Sequence, residues 1–175
     1  VDGLRRTLEW LGLDWDEGPL IQSEDLSPYR AAMERLALSG AAFPCEKTRG
    51  ELAAASAPHE GVHETRYSRE LRPATWERAF REGVNWRFLV PDGPTPFMDA
   101  VHGEQAPDLA ALVGDFTVWT KRAVPAYQLA VVVDDHRQGV TQVVRGDDLL
   151  DSAARQLLLY RALGLGPEPA YTHLP

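Results

Sequence analysis

Residues 139–175, GVTQVVRGDDLLDSAARQLLLYRALGLGPEPAYTHLP, decide the fold. GVTQVVRG has the β-branched content of a strand. The following SAARQLLLYRALGLG repeats its leucines at helical spacing, with Ser152 as the expected cap and Gly164 as the stop. AYTHLP is extended again. Strand, helix and strand with short connections make a parallel crossover unit, so an α/β fold class is expected. Arg145 then falls at the carboxyl end of the first strand, the edge where ligands of open α/β sheets sit. A guanidinium there offers a planar fork of donors to a carboxylate or phosphate, and the helix amino end adds partial positive charge. Asp147, Asp148 and Asp151 surround it, so a surface arginine paired with those carboxylates fits the same residues.

Immediately upstream, AYQLAVVVDDH is ambiguous: Val131, Val132 and Val133 favour strand, whereas Tyr127, Ala130 and Asp134 share helical spacing. At the other end of the chain, Leu4, Leu8 and Leu11 predict an amphipathic helix over 2–13, ended near Gly12. A strand-like LIQS follows. Ser27 as cap and Pro28 in the first turn open a helix that runs to Gly40. FPC is a short strand, and Thr48 caps a helix through ELAAASA. Residues 57–73 are polar and aperiodic, an exposed insertion or loop. A short helix from Trp76, a strand NWRFLV, a turn PDGPTP and strands in FMDAVHG and DFTVWTK complete the reading.

The chain has 175 residues, 44% hydrophobic and 25% charged, enough to bury a core as one domain, or one domain with an insertion. No apolar run approaches the ~20 residues of a membrane-spanning helix. A single cysteine excludes internal disulfides and four-cysteine zinc frameworks, and suits a reduced, cytosolic setting. Eighteen basic against 26 acidic residues give a formal charge of -8, so no global field draws the chain to phosphate. Tyr127 could orient a small polar ligand beside Gln128, or be a half-buried core aromatic. Asp134 and Asp135 could serve as caps or backbone ligands. Cys45, His59, His63 and Tyr67 form an imaginable zinc set, but their spacings fit no compact motif. Phosphate-loop, dinucleotide, metalloprotease and nucleophile-elbow motifs do not occur.

From PAYQLAVVVDDHRQGVTQVVRGDDLLDSAARQLLLYRALGLGPEPAYTHLP, and from LRRTLEWLGLDWDEGPLIQSEDLSPYRAAMERLALSGAAFPC upstream, the chain resembles the glutamyl-tRNA synthetase superfamily of class I aminoacyl-tRNA synthetases. Within it the likeness is to the short glutamyl-Q tRNA(Asp) synthetase branch, since full-length glutamyl enzymes usually have Asn where Gln128 stands here. The resemblance implies a Rossmann-like catalytic domain divided as 1–42, a small α+β insertion over 43–110, and 111–175. It implies activation of L-glutamate with ATP and Mg2+ to glutamyl adenylate, and transfer to queuosine of tRNA(Asp). The alternatives are charging of the 3′ end of tRNA(Glu), or a non-catalytic paralogue that binds tRNA or a protein partner. By position, Tyr127 matches the tyrosine that contacts substrate glutamate, and Arg145 the arginine that binds its side-chain carboxylate. Asp148 and His173 lie on the nucleotide side in this likeness.

The family's HIGH-like signature would precede this chain and its KMSKS-like signature would follow it, so an interior piece, inactive by itself and without catalytic residues, is expected. A cytoplasmic monomer is the expected parent. Bacterial members commonly hold zinc with three Cys and one Tyr in the insertion. Cys45 and Tyr67 match two of those positions, but Lys47 and Leu71 stand at the others, so zinc is expected to be absent.

Overall fold

The computed structural model describes residues 2–47, 51 and 66–175. In chain order they form α1 (Asp2–Trp10), α2 (Ser27–Ser39), β1 (Ala42–Cys45), β2 (Asn85–Phe88), β3 (Phe97–Asp99), β4 (Gly103–Gln105), the single turn α3 (Leu109–Leu112), β5 (Thr117–Trp119), α4 (Tyr127–Arg137), β6 (Gln142–Gly146), α5 (Leu150–Ala162) and β7 (Ala170–Leu174). The α/β class follows from the crossover as expected: β6 and β7 are parallel neighbours with α5 between them in sequence. They belong to a four-stranded sheet of order β4-β3-β7-β6, in which β3 is parallel to β7 and antiparallel to β4. A second, antiparallel sheet has the order β1-β2-β5.

Helix α5 is the shared wall. Ala153 and Leu157 pack on Tyr171 of the four-stranded sheet. Ala154, Leu158, Leu159 and Tyr160 join a larger core with α2, α4 and the aromatic side chains Trp86, Phe88 and Trp119 of the three-stranded sheet. The ambiguous AYQLAVVVDDH is helical because Leu129, Val132 and Val133 can then bury one face in that core. Tertiary burial overrides the strand preference of three valines.

Pairing crosses the sequence divisions at 42/43 and 110/111. β3 and β4, from the expected insertion, extend the sheet of β6 and β7, while β5, from the expected third segment, pairs with β2. Strand hydrogen bonds therefore join segments that the resemblance separates.

Several local expectations are corrected. LIQS is no strand: Gln22–Glu24 form a 3-10 turn whose Gln22 Nε2 donates to Asp134 Oδ2 at 2.6 Å. Ser27 is the first residue of α2 rather than its cap, and Asp25 Oδ1 accepts both its backbone N–H (2.9 Å) and its hydroxyl (2.6 Å). Ser152 lies inside α5, buried. No helix starts at Trp76, whose ring instead packs on Phe43 at 5.6 Å. FMDAVHG holds a strand and a tight turn rather than one strand, and GEQ adds β4. Helix α1 forms as expected but buries none of its residues, because its apolar stripe meets no covering surface among the described residues. The Thr48 helix lies outside them. No helix among the described residues is long and apolar enough to cross a membrane.

Backbone pairing is among the contacts that tie residues 66–73 to the rest. Tyr67 bridges Gly114, donating its N–H to the Val113 carbonyl at 3.1 Å. Gly114 has φ +70, and a Cβ there would lie 2.0 Å from the Tyr67 carbonyl oxygen. Gly114→Ala should therefore lower unfolding free energy by about 2–4 kcal/mol, left-handed strain plus a backbone clash. Gly139→Ala, with φ +66 but open space around it, should cost only the strain of about 1–2 kcal/mol. Urea unfolding of the two variants reads the difference; equal losses would mean that the Tyr67 contact does not constrain residue 114.

Candidate functional site

Arg145 and His173 are paired residues of the parallel strands β6 and β7. The alternation of strand side chains puts Val143, Arg145, Tyr171 and His173 on one face, the face that β7 buries beneath the helices. Arg145 thus stands at the carboxyl end of β6, ahead of the turn that leads into α5. Its Nε–H donates to His173 Nε2 at 3.0 Å and Nη2 donates to the Leu149 carbonyl at 3.3 Å. The guanidinium carbon stands 5.5 Å from the centre of the Tyr171 ring. The hydrogen-bond partners of Arg145 are an imidazole and a carbonyl, not Asp147, Asp148 or Asp151. Both bonds fall on the Nε–Nη2 edge, so the end fork of Nη1 and Nη2 keeps its donors for a planar anion.

His173 is fully buried, and its Nδ1 lies 2.7 Å from Asp99 Oδ2. Asp99, at the end of β3, also accepts the backbone N–H of His173 (3.1 Å to Oδ2) and, through Oδ1, those of Val101 (3.0 Å) and His102 (2.9 Å). Burial pushes its carboxyl up, but the bonds from His102, His173 and Val101 outweigh it and hold the group well below the ordinary carboxylate range. Nothing in FMDAVHG marks Asp99 beforehand; only the pairing of β3 with β7, across 74 residues, brings it to His173.

Tyr127, the first residue of α4, is 54% exposed, so it is no core aromatic. Its neighbour Gln128 is buried instead: Nε2 donates to Ser152 Oγ at 3.1 Å and Oε1 accepts from Gln156 Nε2 at 3.0 Å. The start of α4 is thereby tied to the start of α5, three residues beyond the Leu149 carbonyl that Arg145 meets. Burial raises the Asp135 carboxyl and the charge of Arg145 pulls it down. Asp134 is structural, bonded by Tyr29 Oη at 2.7 Å, Gln22 and Arg137. Asp148 is exposed in the turn after β6, its Oδ1 folded over Gly146 so closely that a Cβ at 146 would lie 2.6 Å away.

Among the described residues, no group of three or more metal-ligating side chains comes together in the insertion. Cys45 Sγ lies 3.8 Å from Tyr67 Oη, and that hydroxyl donates to the Leu71 carbonyl at 2.8 Å. Leu71 and Trp76 pack on the buried cluster of Phe43, Cys45 and Tyr67, where a third ligand would be needed. His59 and His63 lie outside the described residues.

Because the Asp99 carboxyl is depressed in the folded state, its contribution is fully present above its unfolded value of 3.8 and is lost as pH falls below that value. The unfolding free energy of the wild type should thus exceed that of Asp99→Asn above about pH 5, and the margin should shrink steadily below about pH 4. Denaturant unfolding at a series of pH values checks this; a margin that does not change down to pH 3 would contradict it.

The family described as tRNA synthetases class I (E and Q), catalytic domain, matches residues 2–175. The glutamyl-Q tRNA(Asp) synthetase of Geobacter sulfurreducens is 48% identical over 180 residues, covering 100% of this chain and 55% of its own. That of Symbiobacterium thermophilum is 48% identical over 186 residues, covering 96% of this chain and 56% of its own. The crystal structure of a glutamate tRNA ligase from Elizabethkingia meningosepticum in complex with its amino acid matches with a TM-score of 0.81 at 26% identity, over 99% of this chain and 38% of that one. The chain spans about half the length of the curated relatives it matches. With its crossover sheet and the match over almost every residue, this chain belongs to the catalytic-domain family of class I tRNA synthetases for E and Q.

Proposed function

We propose that the full-length protein activates L-glutamate with ATP and Mg2+, forming glutamyl adenylate and releasing pyrophosphate, and then transfers glutamate to queuosine of tRNA(Asp). The observation that carries the glutamate assignment is the unspent end fork of Arg145, at the carboxyl end of a parallel strand. A γ-carboxylate completes that fork with two charge-assisted hydrogen bonds, whereas the amide of glutamine cannot return the charge. Tyr127, exposed at the start of α4, contacts the same amino acid, and the exposed Asp148 stands on the nucleotide side. His173, buried with both ring nitrogens engaged, supports a role beneath Arg145 rather than contact with a nucleotide.

The names of the relatives at 48% identity support queuosine of tRNA(Asp) as acceptor. The protein works as a cytoplasmic monomer, without zinc: packing of Leu71 and Trp76 on Phe43, Cys45 and Tyr67 holds the insertion. The phosphates and the developing charge on them fall to the family's two signature motifs, outside these residues.

Arg145→Ala should raise the glutamate concentration needed for half-maximal ATP–pyrophosphate exchange by about 2–5 kcal/mol, roughly thirtyfold or more, with the ATP requirement little changed. An unchanged glutamate requirement removes Arg145 from the site. For the acceptor, labelled glutamate should pass to tRNA(Asp) that carries queuosine and not to the unmodified form. Transfer to tRNA(Glu) instead would make the protein a glutamyl-tRNA synthetase, and absence of glutamate-dependent exchange would make it a binding paralogue.

A further inference from the structure

We propose that Asp99 and His173 are positioning residues for Arg145: the carboxylate selects the tautomer of the imidazole, and the imidazole aims the guanidinium. The inference rests on Arg145 as the glutamate ligand and adds how its orientation is set.

Arginine has no acceptor, so the 3.0 Å bond between Arg145 Nε and His173 Nε2 requires a bare, accepting Nε2. The ring proton must then sit on Nδ1, where it donates to Asp99 Oδ2 at 2.7 Å. The groups that face this imidazole are Asp99 from β3, Arg145 from β6 and the stacked Tyr171 ring of its own strand, 6.0 Å away. Asp135 of α4 acts on Arg145 from the helix side. Asp99 is itself fixed by three backbone N–H groups, so the chain of bonds begins on a rigid anchor. Its far end is the end fork that meets the substrate. With the opposite tautomer, Nε2–H would oppose Arg145 Nε–H and the fork would turn away.

Asp99→Asn tests this with little change of shape. The amide keeps an oxygen for the N–H groups of Val101 and His102 but presents its own N–H to Nδ1 and no longer accepts the His173 backbone N–H at that position. His173 must then accept there and carry its proton on Nε2. ATP–pyrophosphate exchange by the full-length variant should show a glutamate KM raised about tenfold or more, with kcat and the ATP KM little changed. His173→Gln, which offers Arg145 an amide oxygen near the Nε2 position whatever residue 99 is, should keep a glutamate KM close to the wild-type value. Adding Asp99→Asn to it should produce no further rise, whereas a general loss of structure would add in both backgrounds. Long-range proton–nitrogen NMR should find the ring proton of His173 on Nδ1 in the wild type and on Nε2 in Asp99→Asn.

A glutamate KM unchanged by Asp99→Asn but raised by Arg145→Ala overturns the positioning role and leaves the glutamate site standing. So does a wild-type ring proton on Nε2, or an equal cost of Asp99→Asn in the His173→Gln background. If Arg145→Ala changes nothing, the site falls and the positioning role with it. Should Asp99→Asn not fold, His173→Gln against His173→Leu decides: a raised glutamate KM only in the leucine variant supports the role, and equal values overturn it.

Discussion

The constraint on which the rest depends is the register of β6 against β7, which sets Arg145 opposite His173. A slip by one residue would turn every side chain of β6 to the other face and take the guanidinium away from His173. The register is guarded by burial. Tyr171 and His173 are nearly or fully buried, and Ala153 and Leu157 of α5 pack directly on Tyr171. The same packing that stabilises the crossover therefore delivers the donor fork to the sheet edge. Gln128 extends the arrangement into α4, because its amide bonds to both Ser152 and Gln156. An asparagine would be shorter by one bond of about 1.5 Å and could not span the same two partners without a shift of the helices.

What the sequence makes legible is whatever is local. β6, α5 and β7 follow from composition and spacing, and with them the place of Arg145 at a strand end. The helix over 127–137 is not decided locally, since its three valines vote for strand until the core supplies a surface for Leu129, Val132 and Val133. Ser27 and Ser152 have the chemistry of caps and do not act as such. Asp25 takes the role next to the first, and the second is claimed by Gln128. Asp99 is the clearest case: its importance comes from one parallel pairing between distant strands, and no motif of its own announces it.

Among the described residues of the insertion, packing is joined by a buried ion pair. Arg72 donates to Asp115 through Nε at 2.6 Å and Nη2 at 2.8 Å, and Asp115 also accepts the Val90 N–H at 2.9 Å. The Arg87 guanidinium lies 4.4 Å from the centre of the Tyr67 ring. Such bonds fix the segment after Leu71 to the entry of β5. Removing either partner of a pair this buried leaves an uncompensated charge at a cost of about 3–5 kcal/mol, so the pair constrains geometry more than it adds net stability.

The interposed imidazole has an electrostatic logic. Were Asp99 bonded directly to Arg145, the carboxylate would neutralise the guanidinium and compete with a substrate carboxylate for its donors. A neutral His173 transmits orientation without transmitting that full charge at contact distance. The guanidinium is then aimed by two bonds on one edge, yet its positive charge stays available at the other. Asp135, whose carboxyl is raised by burial and lowered by the charge of Arg145, is a further local anion. On the proposed reading, the positive charge of Arg145 is what would separate a γ-carboxylate from the neutral amide of glutamine, a discrimination that shape alone could not provide between two such similar side chains.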